Sequence, residues 1–159
     1  MEVIALSDGS MPLSAYDSLT NTTHERIDAL LAASDETNPV NISDNAYLVH
    51  LGNRVILIDA GAGVFFGPTL GKLQTSLAGT GYRPDQVTDI LVTHLHPDHT
   101  GGLMAGQSRA FPNAIVHFDK CELEYWFSKT NKEKAPEAQK GFFKQASLAV
   151  QPHIDAGKV

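Results

Sequence analysis

Cysteine is almost missing: Cys121 is the only one among 159 residues. A single thiol excludes an intrachain disulfide framework and a zinc site built from cysteines, and it leaves the compartment open. Long apolar runs are missing too. None approaches the roughly 18 residues a membrane span needs, so no membrane association is expected. The start, Met1-Glu2-Val3-Ile4, lacks the basic flank and apolar stretch of a signal peptide. Localisation therefore stays open between cytoplasm and, if a signal peptide has been removed, periplasm. Positive charge is scarce, with 12 Lys+Arg against 18 Asp+Glu and a net charge of −6. That balance argues against a nucleic-acid partner. Repeats and low-complexity segments are absent. Hydrophobic residues at 42% and charged residues at 19% fit a globular chain long enough for one core. A soluble, single-domain protein is the expectation.

The charge is uneven. Residues 1–60 carry nine acids and two bases, which reads as a solvated acidic surface. The lysines at 120, 129, 132, 134, 140 and 144 alternate with glutamates, as on helices and not as in a nucleic-acid stripe. Val3–Leu6 reads as a short strand ended by Asp8-Gly9. Thr22 or Thr23 caps a helix through Ile27 and Leu31. Residues 35–44 have no period and read as a loop. Ala46–Val49 and Val55–Ile58 flank Gly52-Asn53, a β-hairpin signal. Helices are expected over 70–77, about 119–129 and 136–150, with strands at 90–93 and 115–118. Strands and helices alternate, so the class is α/β.

The chemistry concentrates directly after the strand that ends at Thr93. His94-Leu95-His96-Pro97-Asp98-His99-Thr100-Gly101-Gly102 puts four candidate metal ligands within six residues. Alternation at a strand end turns His94 and His96 to one side. Pro97 bends the chain, so Asp98 and His99 turn toward a second nearby point. Imidazole and carboxylate suit zinc and similar divalent ions. A lone His-X-His is more often a polar loop than a ligand pair. His-X-His-X-Asp-His with flanking glycines, following a buried strand, reads as a metal site.

This motif resembles the signature of the metallo-β-lactamase-fold hydrolases, and Leu57-Ile58-Asp59-Ala60-Gly61 resembles that superfamily's Asp-X-Gly motif at a strand end. Asn45–Val49, Phe66–Gly71 and Gly81–Pro84 are similar to the methyl parathion hydrolase and lactonase-like branch. The resemblance implies an αββα sandwich with two divalent metal ions, most simply Zn, with Mn, Co or Fe as alternatives. It implies His94 and His96 on the first ion, Asp98 and His99 on the second, and Asp59 ordering the histidine loop from behind. It implies that a metal-activated hydroxide cleaves an ester, lactone or phosphotriester, with Asp98 catalytic. Phe66, Trp126 and, less directly, Phe65 stand where that branch lines its substrate pocket, although large aromatics usually pack in cores.

The sequence also departs from the family. The downstream His, bridging Asp and last His motifs do not occur. His117 reads as a mid-strand residue, His153 as an exposed loop residue, and Cys121 as a small packing residue. Only four ligands are supplied, and one sheet with helices on one side leaves its other face bare. Residues 1–159 therefore read as the N-terminal half of the fold: either a fragment of a longer protein, or a chain completed by a homo-oligomer or by a complementing C-terminal half. A non-catalytic half-domain acting as an association module is the alternative. A thioester hydrolase or sulfur dioxygenase of the same fold also matches the motif.

Overall fold

Which face each strand buries follows from its alternation. The structure, a computed structural model, describes residues 1–159. In chain order it runs β1 (Glu2–Leu13), α1 (Ala15–Ser18), α2 (His24–Ala32), β2 (Val40–Leu51), β3 (Arg54–Ile58) and α3 (Leu73–Gly79). There follow β4 (Asp89–Leu91), α4 (Pro97–Thr100), β5 (Met104–Ala105), β6 (Ser108–Arg109), β7 (Ile115–His117), α5 (Lys120–Trp126), α6 (Lys129–Lys134) and α7 (Glu137–Asp155). One sheet has the order β1-β2-β3-β4-β7, and β5 and β6 form a separate two-stranded ribbon. No helix is long and apolar enough to cross a membrane.

The chain divides into two units, residues 1–9 with 44–159, and residues 10–43. In the larger unit β2 and β3 form the expected hairpin, with Leu51 opposite Arg54 across Gly52-Asn53. Gly52 has φ 63, the left-handed geometry such a two-residue turn requires. β4 then pairs with β3, and β7 with β4, both in parallel. Leu6, Ala46, Leu48, Val55, Leu57, Ile90 and Val116 face one side. They share one core with Leu73 and Leu77 of α3 and with Phe143, Ala146, Ala149 and Val150 of α7. The opposite face carries Val3, Tyr47, Leu91 and Ile115, all exposed, and Val49, Ile56 and Ile58, half-buried. One corner of that face is polar: Arg54 donates to Asp89, and His117 Nε2 lies 3.0 Å from the same carboxylate. Arg54 holds the Asp89 carboxyl well below the usual range, ahead of the opposing effect of its burial.

The smaller unit contains α1 and α2. Ser14 and Thr23 cap them by accepting from Asp17 N–H and Arg26 N–H. The Asn38 carboxamide accepts Ala15 N–H at 2.7 Å, and Tyr16 stacks on His24 with ring centroids 4.0 Å apart.

Several expectations need correction. β1 does not stop at Asp8-Gly9 but continues to Leu13, because Asp8 turns into the core as a hydrogen-bond acceptor. Residues 40–44 belong to β2 and not to a loop. The helix expected over 70–77 starts only at Leu73, since Gly71 takes φ 76 and gives its N–H to Asp8. α7 runs on to Asp155, so His153 is not in an exposed loop. It is buried, with Nε2 3.4 Å from the Leu103 carbonyl oxygen. Cys121 is exposed and does not pack; the neighbouring Asp119 raises its thiol pKa.

Candidate metal centre

Parallel pairing brings the C-terminal ends of β3 and β4 out at one edge of the sheet, where open α/β sheets place their ligands. Asp59 follows β3 and takes φ 58, a left-handed conformation that costs a non-glycine residue about 1–3 kcal/mol. Its hydrogen bonds hold it there. Asp59 Oδ1 accepts the Thr93 N–H at 2.8 Å, and both carboxylate oxygens accept the Thr93 hydroxyl at 2.9 and 3.0 Å. Asp59 Oδ2 takes the His99 Nδ1–H at 2.9 Å. That bond fixes the ring and leaves His99 Nε2 facing Asp98 Oδ2, 3.5 Å away.

His96 precedes α4, Pro97 opens it, and its first turn carries Asp98 and His99. Proline suits that position because its missing N–H is not needed there. A backbone seam ties this turn to the loop after β3. Ala60 N–H donates to the His99 carbonyl at 2.9 Å, and Gly102 N–H to the Gly61 carbonyl at 3.0 Å. A Cβ on Gly101 or Gly102 would collide with the Ala62 or Ala60 carbonyl oxygen, so only glycine permits the approach. Asp8 closes the loop from its other side. Fully buried, it accepts N–H groups from Ala62 at 2.9 Å and from Gly71 and Leu73 at 2.8 Å.

The three imidazoles meet: ring centroids of His94 and His96 are 4.6 Å apart, and those of His94 and His99 are 4.1 Å apart. Imidazoles sharing a tetrahedral zinc have centroids about 5 Å apart, and any two of its donor atoms lie about 3.3 Å apart. The spacings of His94 with His96, and of Asp98 with His99, are close to these values. The donors come in pairs, and no three His, Cys, Asp or Glu side chains surround a single point. The donor types suit divalent cations, and any ion held here would need further ligands.

Electrostatics separate the members. Burial lowers the His94 pKa, and the neighbouring His99 and His96 lower it further, which favours the neutral, electron-donating ring. Burial also works against a charged His99, but Asp59 and Asp98 outweigh it and push its pKa up to about 10. Asp98 lies below the usual carboxylate range, because the His99 hydrogen bond and charge outweigh its burial. Asp44 on β2 is pushed up to about 6 by burial and then by the charges of Asp8 and Asp98. Its Oδ2 is buried without a hydrogen-bond partner.

The aromatic residues divide. Trp126 meets His96 edge-on at 5.2 Å. Phe66 contacts Phe142 at 6.3 Å, and Phe142 lies 5.7 Å from His96. Phe65 packs against the core, beside Gly101. Asp8, Asp44, Thr93, Glu122 and Phe142 were not singled out as site residues in the sequence. Only Glu122 left a local signal there, its four-residue spacing from Trp126 on one helix.

Two parallel strand ends, an aspartate braced behind a histidine-rich turn and a glycine seam between them define an α/β layer that presents clustered histidine and aspartate side chains at one sheet edge. The chain belongs to the metallo-β-lactamase superfamily, whose family model matches residues 42–145. Its α/β layer is a half of that fold. Among solved structures it is similar to the hydrolase AbOPH of the β-lactamase superfamily, with 31% identity and a TM-score of 0.91 over 98% of this chain and 55% of that one. It is similar to AidC, a dizinc quorum-quenching lactonase, with 27% identity and a TM-score of 0.83 over 94% of this chain and 55% of that one. A metal-dependent hydrolase from Staphylococcus aureus, described as probable, shares the fold at 20% identity and a TM-score of 0.68, over 91% of this chain and 57% of that one. The chain thus spans about half the length of these structures. No curated protein matches it.

Proposed function

We propose that these residues form the N-terminal, ligand-bearing half of a metal-dependent hydrolase that opens lactones or cleaves related esters and phosphotriesters. The carrying observation is the cluster of His94, His96, Asp98 and His99 with Asp59 bonded behind His99. In this reading His94 and His96 hold one ion, and Asp98 and His99 hold the other. Zinc is the first choice, given the dizinc lactonase among the similar structures. When bound, such ions supply Lewis acidity and make water nucleophilic at neutral pH. Asp59 keeps the His99 ring oriented. Asp98, ionised at neutral pH, receives the proton released during attack. Trp126 and Phe66, with Phe142, wall the leaving-group side, while Phe65 braces Phe66's loop from the core.

The remaining ligands come from a complementing half laid on the open sheet face. A second copy of this chain would cover the same apolar surface and bring only the same four ligands. The exposed Tyr47, Leu91 and Ile115 favour the second reading, an association module without chemistry of its own.

Elemental analysis and hydrolysis assays on a lactone and an aryl phosphotriester test both. The parent, with its complementing half, should hold zinc and turn over. The His94→Ala/His96→Ala double variant should lose the first ion, and Asp98→Asn should keep its fold but lose most turnover. Parental metal content in the double variant removes the ligand assignment, and parental rate in Asp98→Asn removes the base.

A further inference from the structure

We propose that Glu122 is a positioning residue that ties the His94–His96 pair to the Trp126 wall of the pocket, an inference that rests on the metal-hydrolase reading above. β4 has ended at Leu91, so the peptide between the two histidines lies outside the sheet ladder. A buried N–H there still needs an acceptor. Glu122 reaches across from α5 to provide it: its Oε2 accepts the Leu95 N–H at 2.8 Å. The same oxygen accepts the Trp126 indole N–H at 3.1 Å, one helical turn along α5. Leu95 is fully buried, so its peptide is pinned by its side chain below and by a carboxylate above. Hydrogen bonds to an ionised acceptor are roughly twice as strong as neutral ones.

The geometry closes a loop of contacts. Glu122 holds Leu95, Leu95 lies between His94 and His96, His96 meets Trp126 edge-on at 5.2 Å, and Trp126 returns to Glu122. A leaving group that pushes on Trp126 therefore moves the carboxylate that sets the histidine turn. Groups in this position behind metal ligands commonly change metal affinity 10–100-fold when removed.

Hydrogen exchange reads both bonds directly, since Trp126 is the only tryptophan of the 159 residues and gives one indole signal. In Glu122→Leu the Leu95 amide and the Trp126 indole should lose protection together, at least tenfold, and zinc affinity should fall 10–100-fold. Glu122→Gln keeps an oxygen acceptor and should stay within about threefold of the parent on both readouts. Unchanged protection in Glu122→Leu overturns the proposal, as does a Gln variant damaged as badly as Leu. If Glu122→Leu fails to fold, Glu122→Asp decides, because the shorter carboxylate withdraws the acceptor and keeps the charge. Parental protection in Glu122→Asp overturns the proposal. A parent that takes no zinc defeats the metal reading alone, and the exchange data still judge Glu122.

Discussion

Replacing Asp8 by alanine tests how much of the site's scaffold rests on one carboxylate. Asp8 accepts three backbone N–H groups, those of Ala62, Gly71 and Leu73, at 2.8–2.9 Å, and is itself fully buried. Hydrogen bonds to a charged group contribute about 1.5–3 kcal/mol each, and an orphaned buried donor costs about 1–3 kcal/mol. Removing the carboxylate also removes its own desolvation cost, which offsets part of the loss. The net for Asp8→Ala is then about 4 kcal/mol, a large share of the roughly 5–15 kcal/mol typical of a domain. Asp8→Asn keeps the shape but turns an amide donor toward a backbone donor, and should cost about 2 kcal/mol. Urea unfolding followed by far-UV circular dichroism measures both. With a slope of about 2 kcal/mol per molar urea, the midpoint should move by about 2 M for alanine and about 1 M for asparagine. An alanine variant within about 0.5 M of the parent, at unchanged slope, would refute the account of Asp8 as the clamp on the loop after β3.

Other perturbations follow from the same geometry. Asp59→Asn leaves His99 with a weaker, neutral partner and should lower zinc retention by about 10–100-fold in elemental analysis; parental retention would separate Asp59 from the site. Asp44 has a folded pKa of about 6, above its unfolded value of about 3.9, so the folded state binds the proton more tightly and loses stability as pH rises between the two. In chelator-treated protein, Asp44→Asn should therefore match the parent near pH 4 and melt higher at pH 8, and a pH-independent difference would contradict this. Asp89 has the opposite sign: its folded pKa is depressed, chiefly by Arg54, so its contribution is complete above about pH 4 and is lost on further acidification. Asp89→Asn should flatten the acid limb of the stability curve, and an unaltered limb would assign acid unfolding to other groups.

How far the sequence could be read depended on distance along the chain. The hairpin at Gly52-Asn53 and the turn from His94 to His99 are local: alternation revealed the first, and the clustered histidines with Pro97 revealed the second. The strand before that turn ends at Leu91 and not at Thr93, so strand alternation does not orient His94 and His96. The bare sheet face was legible as well, because Tyr47, Val49, Ile56 and Ile58 are apolar at the positions that alternate with the core. Asp8 was misread because Asp-Gly normally signals a turn, whereas its three donors lie 54–65 residues away. His153 was misread for a similar reason. A polar residue beside Pro152 looks like a loop until α7 is seen packed on the turn that holds Leu103. Glu122 shows half its role locally, through Trp126 four residues on, and conceals the other half 27 residues back at Leu95.

The glycine seam has a consequence for anyone who would redesign this protein by exchanging loops. Residues 60–63 and 99–102 meet backbone to backbone, with Gly101 and Gly102 fitting only against these carbonyls. A donor loop brought in on one side alone arrives with carbonyls aimed for a different partner and forces the seam apart. Chimeras that exchange either segment singly should fail even when the incoming sequence retains every histidine. Those that exchange both together, with Asp8 as the third part, should accept new side chains at Phe66 and Trp126. The smallest transplantable piece is a discontinuous triplet of segments, and the histidine motif by itself is too little to carry.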